Sequence, residues 1–186
     1  MLRRAGSVSR KSWLIRAITV RPKPGSRTRG LLATGGRVIP CALGRGGISS
    51  RKREGDGATP LASMRVLGGY IRADGRMPRA GALRLAAIRD DDGWCDAPGD
   101  ANYNCPVRLP FKPSHERMRR SDALYDAVIV LDWNIRTRAR NRGSAIFLHI
   151  ARQGYAPTEG CVAVSPAAMR WLLPRLSRRS VLRVVR

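Results

Sequence analysis

The apolar residues of this chain fall in short runs rich in valine, isoleucine and leucine, and nearly every run is stopped by glycine, proline or aspartate. Runs of that length cannot supply the long apolar stripe of a packed helix and suit buried or half-buried strands. Residues 13–20 (WLIRAITV), 63–71 (SMRVLGGYI), 125–134 (YDAVIVLDWN), 144–150 (SAIFLHI), 161–165 (CVAVS) and 180–185 (SVLRVV) read as strands. Residues 30–44 (GLLATGGRVIPCALG) read as two more, joined by a tight turn at Gly35-Gly36. Glycine accepts the positive φ that a two-residue hairpin loop requires. One helix is legible. Ser165 caps it, Pro166 takes its first position, and PAAMRWLL runs on until Pro174 disturbs it. Together these predict a mainly β domain, a sandwich or barrel-like pair of sheets with one short C-terminal helix.

At 186 residues the chain fits one domain with a core of its own. Residues 1–12 are basic and polar and read as a disordered start, with the domain over 13–186. No internal repeat is visible. Residues 52–60 (KREGDGATP) form a glycine-rich charged loop with a proline stop, and residues 72–123 are dominated by Gly, Pro, Asp and Arg with little periodicity. So long an irregular stretch inside a compact domain is either functional or partly disordered.

The charge is extreme. Thirty-six Lys and Arg stand against 13 Asp and Glu, a formal net charge of +23. Only Lys11, Lys23, Lys52 and Lys112 are lysines, and the arginines are scattered rather than gathered in one run. Such a field draws anionic polymers or surfaces, although uniform arginine enrichment also follows from a GC-rich genome. Most of the acids lie between Asp90 and Asp132, where a patch could receive a substrate ammonium group or simply keep loops solvated. A nucleic-acid-binding protein is the reading from another class. The chain lacks a recognisable binding motif, is poor in aromatics and shows no arginine stripe, so no specific nucleic acid is expected.

Cys41, Cys95, Cys105 and Cys161 form no CxxC pair, which argues against structural zinc. Cys95 and Cys105 could bridge a loop in an oxidising compartment. The HERMR at 115–119 begins like a zinc-protease helix, but Arg119 stands where the second histidine must be. No run approaches the roughly 18 apolar residues of a membrane span. Arg16 divides the apolar stretch near the start, so no cleavable export signal is read.

The chemistry concentrates in SAIFLHIARQGYAPTEGCVAVSP. A thiol is nucleophilic as thiolate, and a nearby imidazole makes that form accessible. His149 closes one strand and Cys161 opens another, so a strand, loop and return strand could join them. Gly160 lets the backbone bend before the thiol, which would free the N–H groups of Gly160 and Cys161 for an oxyanion. The alternative is two core residues, since buried cysteines and packed histidines are common.

A strand ending in histidine, a glycine-bearing loop, then [ST]-x-G-C and a small apolar strand closely resembles the YkuD-type L,D-transpeptidase catalytic domain. Thr158, Gly160, Cys161 and Val162 match its [ST]-H-G-C-hydrophobic signature, and His149 matches the upstream histidine. EGDGATP resembles the upstream G-x-T-P segment, with Thr59 and Pro60 in register. The resemblance runs from about Ile15 to the end and is closest to short members in which GWCDAPGDANYN (93–104) and HERM…YD (115–126) replace the usual intervening loop. Two positions depart from the pattern. Glu159 replaces the histidine before Gly-Cys, and Ala62 replaces the glycine of T-P-x-G. A carboxylate beside the thiol opposes thiolate formation, where a histidinium would favour it. Glu159 could point away with a role in the loop, or accept a hydrogen bond from His149 and hold its tautomer, as the acid of a triad does.

The resemblance implies that Cys161 attacks the carbonyl of the third, diamino-acid residue of a peptidoglycan stem, expelling D-alanine. An amine on a second stem then resolves the thioester and forms a 3→3 cross-link. It implies His149 as general base and then acid, an oxyanion turn of Thr158, Glu159, Gly160 and Cys161, no metal or organic cofactor, and a periplasmic or cell-wall location. Peptidoglycan stem peptides are the expected partner, and a monomer is expected. Trp94, Asp96, Tyr103 and Asn104 are candidate walls of the cleft, the aromatics for sugar or peptide and Asp96 for an ammonium group, or else they merely order a long loop. A Cys-His hydrolase or amidase of wall peptides, or a non-catalytic wall-binding relative, would carry much the same sequence.

Overall fold

The structure, a computed structural model, describes residues 14–186. Strands β1 (Ala17–Pro22), β2 (Arg29–Thr34) and β3 (Arg37–Ala42) form an antiparallel meander. The β2–β3 turn is Gly35-Gly36 with φ of 53° and 73°. Both values lie in the left-handed region, the geometry whose twist matches a two-residue hairpin. A short parallel pair follows, β4 (Ile48–Ser49) with β5 (Thr59–Pro60). The long β6 (Ser63–Ile71) has the bounds expected from its sequence.

After β6 come β7 (Leu85–Ala87), β8 (Asp92–Cys95), β9 (Pro106–Arg108) and β10 (His115–Arg117), then β11 (Ala127–Leu131), β12 (Phe147–Ile150) and β13 (Val162–Val164). The helix α1 (Pro166–Leu172) and β14 (Val181–Val184) complete the chain. The main sheet runs β11-β12-β13-β3-β2-β1-β14-β6-β7, and a further β11–β6 pairing closes it into a barrel. Closure is possible because β6 has work on both edges. Its first residues pair β14 and its last pair β7, while the other edge takes β11. Only β1–β14, β12–β13 and β6–β7 pair parallel within this sheet.

Side chains alternate across the barrel wall. Ile129, Leu131, Leu148, Ile150, Val162 and Val164 point to the interior cluster, where they meet Ile18, Leu32 and the helix residues Met169 and Leu172. Val128, Val130, Phe147 and Cys161 point the other way, against Trp94, Met118 and Tyr125. The strands β11, β12 and β13 are therefore buried on both faces, which explains why their sequences run apolar without alternation. Ser165 caps α1 as expected, its Oγ accepting from the Ala168 N–H at 3.2 Å.

Two features differ from the sequence reading, and one left open by it is answered. The first strand begins at Ala17 rather than residue 13, and the stretch 1–12 and Trp13 lie outside the described residues. The irregular segment 72–123 is not structureless. It builds a second layer, an antiparallel sheet of order β10-β8-β9 that covers the outer face of the barrel wall. Its strands are only three or four residues long, too short for periodicity to show. The HERM motif is accordingly strand, with His115 Nδ1 2.8 Å from the Pro113 carbonyl. All four cysteines are free thiols, Cys95 and Cys105 included. Among the described residues, no helix is long and apolar enough to cross a membrane.

Candidate active site

Strands β12 and β13 run parallel with His149 beside Ala163. Cys161 lies two residues before Ala163, so thiol and imidazole are diagonal neighbours on the outer face of adjacent strands. Both are buried, at 4% and 8% exposure. They line one cleft of about 380 Å³, whose other walls come from Glu54 and Gly55, from Asp96 and Glu116 of the covering layer, and from Arg120, Tyr125 and Arg152.

The imidazole is oriented by backbone. Its Nδ1 lies 2.8 Å from the carbonyl oxygen of Ile150. That carbonyl can only accept, so Nδ1 carries the proton and Nε2 keeps its lone pair. The Tyr125 ring stands edge-on to it, with centroids 5.3 Å apart. Burial pushes the His149 pKa down to about 4, despite the opposing Ile150 hydrogen bond. Burial likewise pushes the Cys161 thiol up to about 12. The resting pair is therefore neutral thiol and neutral imidazole rather than thiolate and imidazolium. The thiol is parked on backbone: Sγ donates to the Ala145 carbonyl at 3.2 Å and accepts from the Phe147 N–H at 3.3 Å.

The turn before the thiol is tightly fixed. Thr158 Oγ1 donates to the Cys161 carbonyl at 2.7 Å and accepts the Gly160 N–H at 3.2 Å. The Gly160 N–H is thus engaged at rest rather than free, and would have to leave Thr158 to serve an oxyanion. Gly160 itself is required by geometry. Its φ is 133°, and a Cβ there would stand 2.9 Å from the Ala58 carbonyl oxygen. The Thr-Pro segment accounts for that closeness. Thr59 is fully buried, its Oγ1 accepts the Gly44 N–H at 2.8 Å, and its loop packs beneath the Gly160 turn.

The family model of the L,D-transpeptidase catalytic domain, YkuD, matches residues 18–185. The chain belongs to the YkuD family. No curated protein matches it. A solved structure of the LD transpeptidase LdtMt1 in complex with imipenem aligns at 17% identity and a TM-score of 0.39, over 90% of this chain and 58% of that one.

Within this YkuD domain Glu159 does not hold His149, whose Nδ1 is on the Ile150 carbonyl. Its side chain is 76% exposed and receives Arg45 Nε at 2.7 Å. Of the four wall candidates only Asp96 lines the cleft. Trp94, Tyr103 and Asn104 are 4%, 2% and 1% exposed, and offer no surface for a sugar or peptide. They hold the site from beneath. Asn104 has a φ of 58° and occupies the left-handed position of a β-bulge opposite Cys95, whose carbonyl takes the Asn104 N–H while its own N–H bonds the Cys105 carbonyl. From there Asn104 Oδ1 accepts both the Trp94 indole N–H and the Ala145 N–H at 3.0 Å, and Nδ2 donates to the Trp133 carbonyl. Tyr103 donates its hydroxyl to Glu54, which also accepts from Ser144 at 2.8 Å.

Sequence reasoning passed over Tyr125 and Glu116. The Tyr125 hydroxyl donates to Glu116 Oε1 at 2.8 Å, and Arg120 approaches the same oxygen at 3.5 Å. Burial raises the Glu116 pKa, against the pull of Tyr125 and Arg120, and Asp96 adds to the rise. The available signal was the pairing of Glu116 with Trp94 across β8 and β10. That register puts Trp94, Asp96 and Glu116 on one face, but it could not be read before the strands themselves were known.

Proposed function

We propose that the chain is a cysteine-dependent acyltransferase of peptidoglycan stem peptides, an L,D-transpeptidase acting through a thioester on Cys161. The observation that carries this reading is the shared cleft, lined by both the Cys161 thiol and a His149 imidazole with a free Nε2, in a member of the YkuD family. His149 takes the thiol proton at Nε2 as Sγ bonds to the donor carbonyl carbon. The carbonyl pair becomes the oxyanion, received by the Cys161 N–H and by the Gly160 N–H once it leaves Thr158. Collapse breaks the C–N bond, and the imidazolium returns its proton to the departing D-amino acid amine. An acceptor amine, losing its proton to His149, then attacks the thioester and expels Cys161. Since the resting thiol is neutral, proton transfer accompanies attack rather than preceding it.

Asp96 is read here as the carboxylate that meets a substrate ammonium group. Its Oδ1 is buried without a hydrogen-bond partner, and the residue lines the cleft together with Glu54, Glu116 and Glu159, beside Arg120 and Arg152. On this reading the protein works outside the cytoplasm, at the cell wall.

Mass spectrometry of the intact protein with a carbapenem, and separately with tetrapeptide stems, tests the reading. A covalent adduct on Cys161 is expected, absent in Cys161→Ser. A folded protein that forms no adduct with either reagent would refute it. Adding an acceptor amine separates transfer from hydrolysis by the product released.

A further inference from the structure

Several arginines around the covering layer are paired with acids: Arg72 with Asp74 and Asp126, Arg108 with Asp91 and Asp92, Arg120 with Glu116 and Asp122. Others, Arg21, Arg84, Arg117, Arg178 and Arg179 among them, are exposed and form no ion pair among the described residues. Arg51, Arg53, Arg136, Arg140 and Arg142 are exposed, and among the described residues none of them forms an ion pair. These five sit on only two loops, which are joined where the Glu54 N–H donates to the Asn141 carbonyl at 3.0 Å.

The second loop is built rather than slack. Asn134 braces it from within, its Oδ1 accepting from the Ala139 N–H and the Thr137 hydroxyl at 2.8 Å, its Nδ2 donating to the Ala139 and Gly143 carbonyls at 3.0 Å. Trp133 Nε1 closes the base on the Arg142 carbonyl at 2.8 Å. Arg136, Arg140 and Arg142 of this braced loop are exposed, while Arg138 turns back to donate to the Ala101 carbonyl at 3.3 Å. Both loops run directly into the cleft wall, one through Glu54 and Gly55, the other through Ser144 and Ala145.

We infer that these two loops form a single cationic ridge that seats a polycarboxylate strand, the stem-bearing glycan of peptidoglycan, and leads it to the cleft. The identity of the polymer rests on the proposed function. The ridge rests on the gathering of five exposed arginines on two joined loops that run into the cleft wall, and on the bracing of one of those loops. Rigid presentation lowers the ordering cost of binding, and unpaired guanidinium groups take carboxylates in a fork geometry without first breaking an internal pair.

Co-sedimentation with purified sacculi, using Cys161→Ser protein so that no chemistry intervenes, reads the ridge directly. The triple variant Arg136→Gln, Arg140→Gln, Arg142→Gln is compared with Arg21→Gln, Arg178→Gln, Arg179→Gln, which removes the same charge from exposed arginines outside both loops. The ridge triple is expected to lose about tenfold or more in affinity at roughly 0.1 M salt, and the control triple less than about threefold. Sacculi with amidated carboxylates are expected to lose binding to the parent protein. Equal losses in the two triples, or undiminished binding to amidated sacculi, would overturn the inference. So would a ridge triple that loses duplex DNA or anionic vesicles while keeping sacculi. The carbapenem adduct is read on the same substitutions with Cys161 intact. If the protein lacking them also fails to acylate, the proposed chemistry fails while the sedimentation result stands.

Discussion

Arg45 Nε lies 2.7 Å from Glu159 Oε2, and that contact turns the carboxylate next to the thiol outward, to the rim of the cleft. Both side chains are well exposed, so the pair contributes little to stability, about 0–1 kcal/mol. Its consequence is electrostatic. After burial and Glu116, the Glu159 charge adds to the forces holding the thiol protonated, and a guanidinium beside a carboxylate opposes its field. Glu159→Gln is therefore expected to leave the acylation rate within about threefold of the parent or raise it, and Arg45→Gln to lower it. Stopped-flow acylation by a carbapenem checks both. A large loss in Glu159→Gln with Arg45 intact would restore the carboxylate to a role in orienting the base.

His149 ties stability to pH. Its folded pKa is about 4 against 6.5 for the free side chain. Above pH 6.5 neither folded nor unfolded chain protonates it. As the pH falls from 6.5 toward 4, the unfolded chain takes up a proton that the folded one refuses. Stability is lost across that window and levels off below it, a total of about 3 kcal/mol. Urea midpoints for the parent and for His149→Asn, measured from pH 7 to pH 4, should converge on the acid side by that margin. Parallel curves would show that the imidazole titrates normally in the fold. The same shift keeps the base unprotonated in mild acid, so the acid limb of the acylation rate is expected nearer pH 4 than pH 6.5.

Asn104 carries two separable burdens, a left-handed backbone and a side chain that binds three partners. Asn104→Ala loses both and should cost about 2–4 kcal/mol. Asn104→Gly restores the backbone alone, and is expected to be the milder variant by about 1 kcal/mol. Because Asn104 pins the Ala145 N–H and the Ala145 carbonyl holds the thiol, both variants should also slow acylation more than their stability loss explains. Denaturant unfolding beside single-turnover acylation separates the two effects.

The barrel was largely legible from sequence because its strands are buried on both faces or joined by turns of obvious chemistry. β2, β3, β6 and α1 follow their hydrophobic runs, and Gly35-Gly36 and Ser165-Pro166 mark a turn and a cap with little ambiguity. The covering layer was not legible. Strands as short as Pro106–Arg108 and His115–Arg117 contain too few residues to establish a period, and their order is set by contact with the barrel. The site shows the same split. Cys161 and His149 lie on barrel strands, so register alone brings them together. Glu116 and Tyr125 reach the cleft through the layer or its junction with β11. Trp94 lies on β8 and Tyr103 and Asn104 on the loop after it, but nothing in their spacing could say that they face inward to hold Glu54 and Ala145 rather than outward to hold a substrate.

Asp96 offers a test in which a binding role and a structural role give opposite signs. Its Oδ1 is buried without a partner, and the neighbouring Glu116 has its pKa raised partly by the Asp96 charge. An unpaired buried carboxylate oxygen destabilises the empty protein by roughly 1–3 kcal/mol, a strain that a substrate ammonium would relieve. Asp96→Asn removes the charge and keeps the shape. It is expected to raise Tm by about 2–5 °C while raising KM several-fold for donors with a free ammonium group and leaving kcat nearly unchanged. Donors with that amine acetylated should not distinguish the variant from the parent. A lower Tm with the donor preference intact would instead make Asp96 part of the scaffold of its loop.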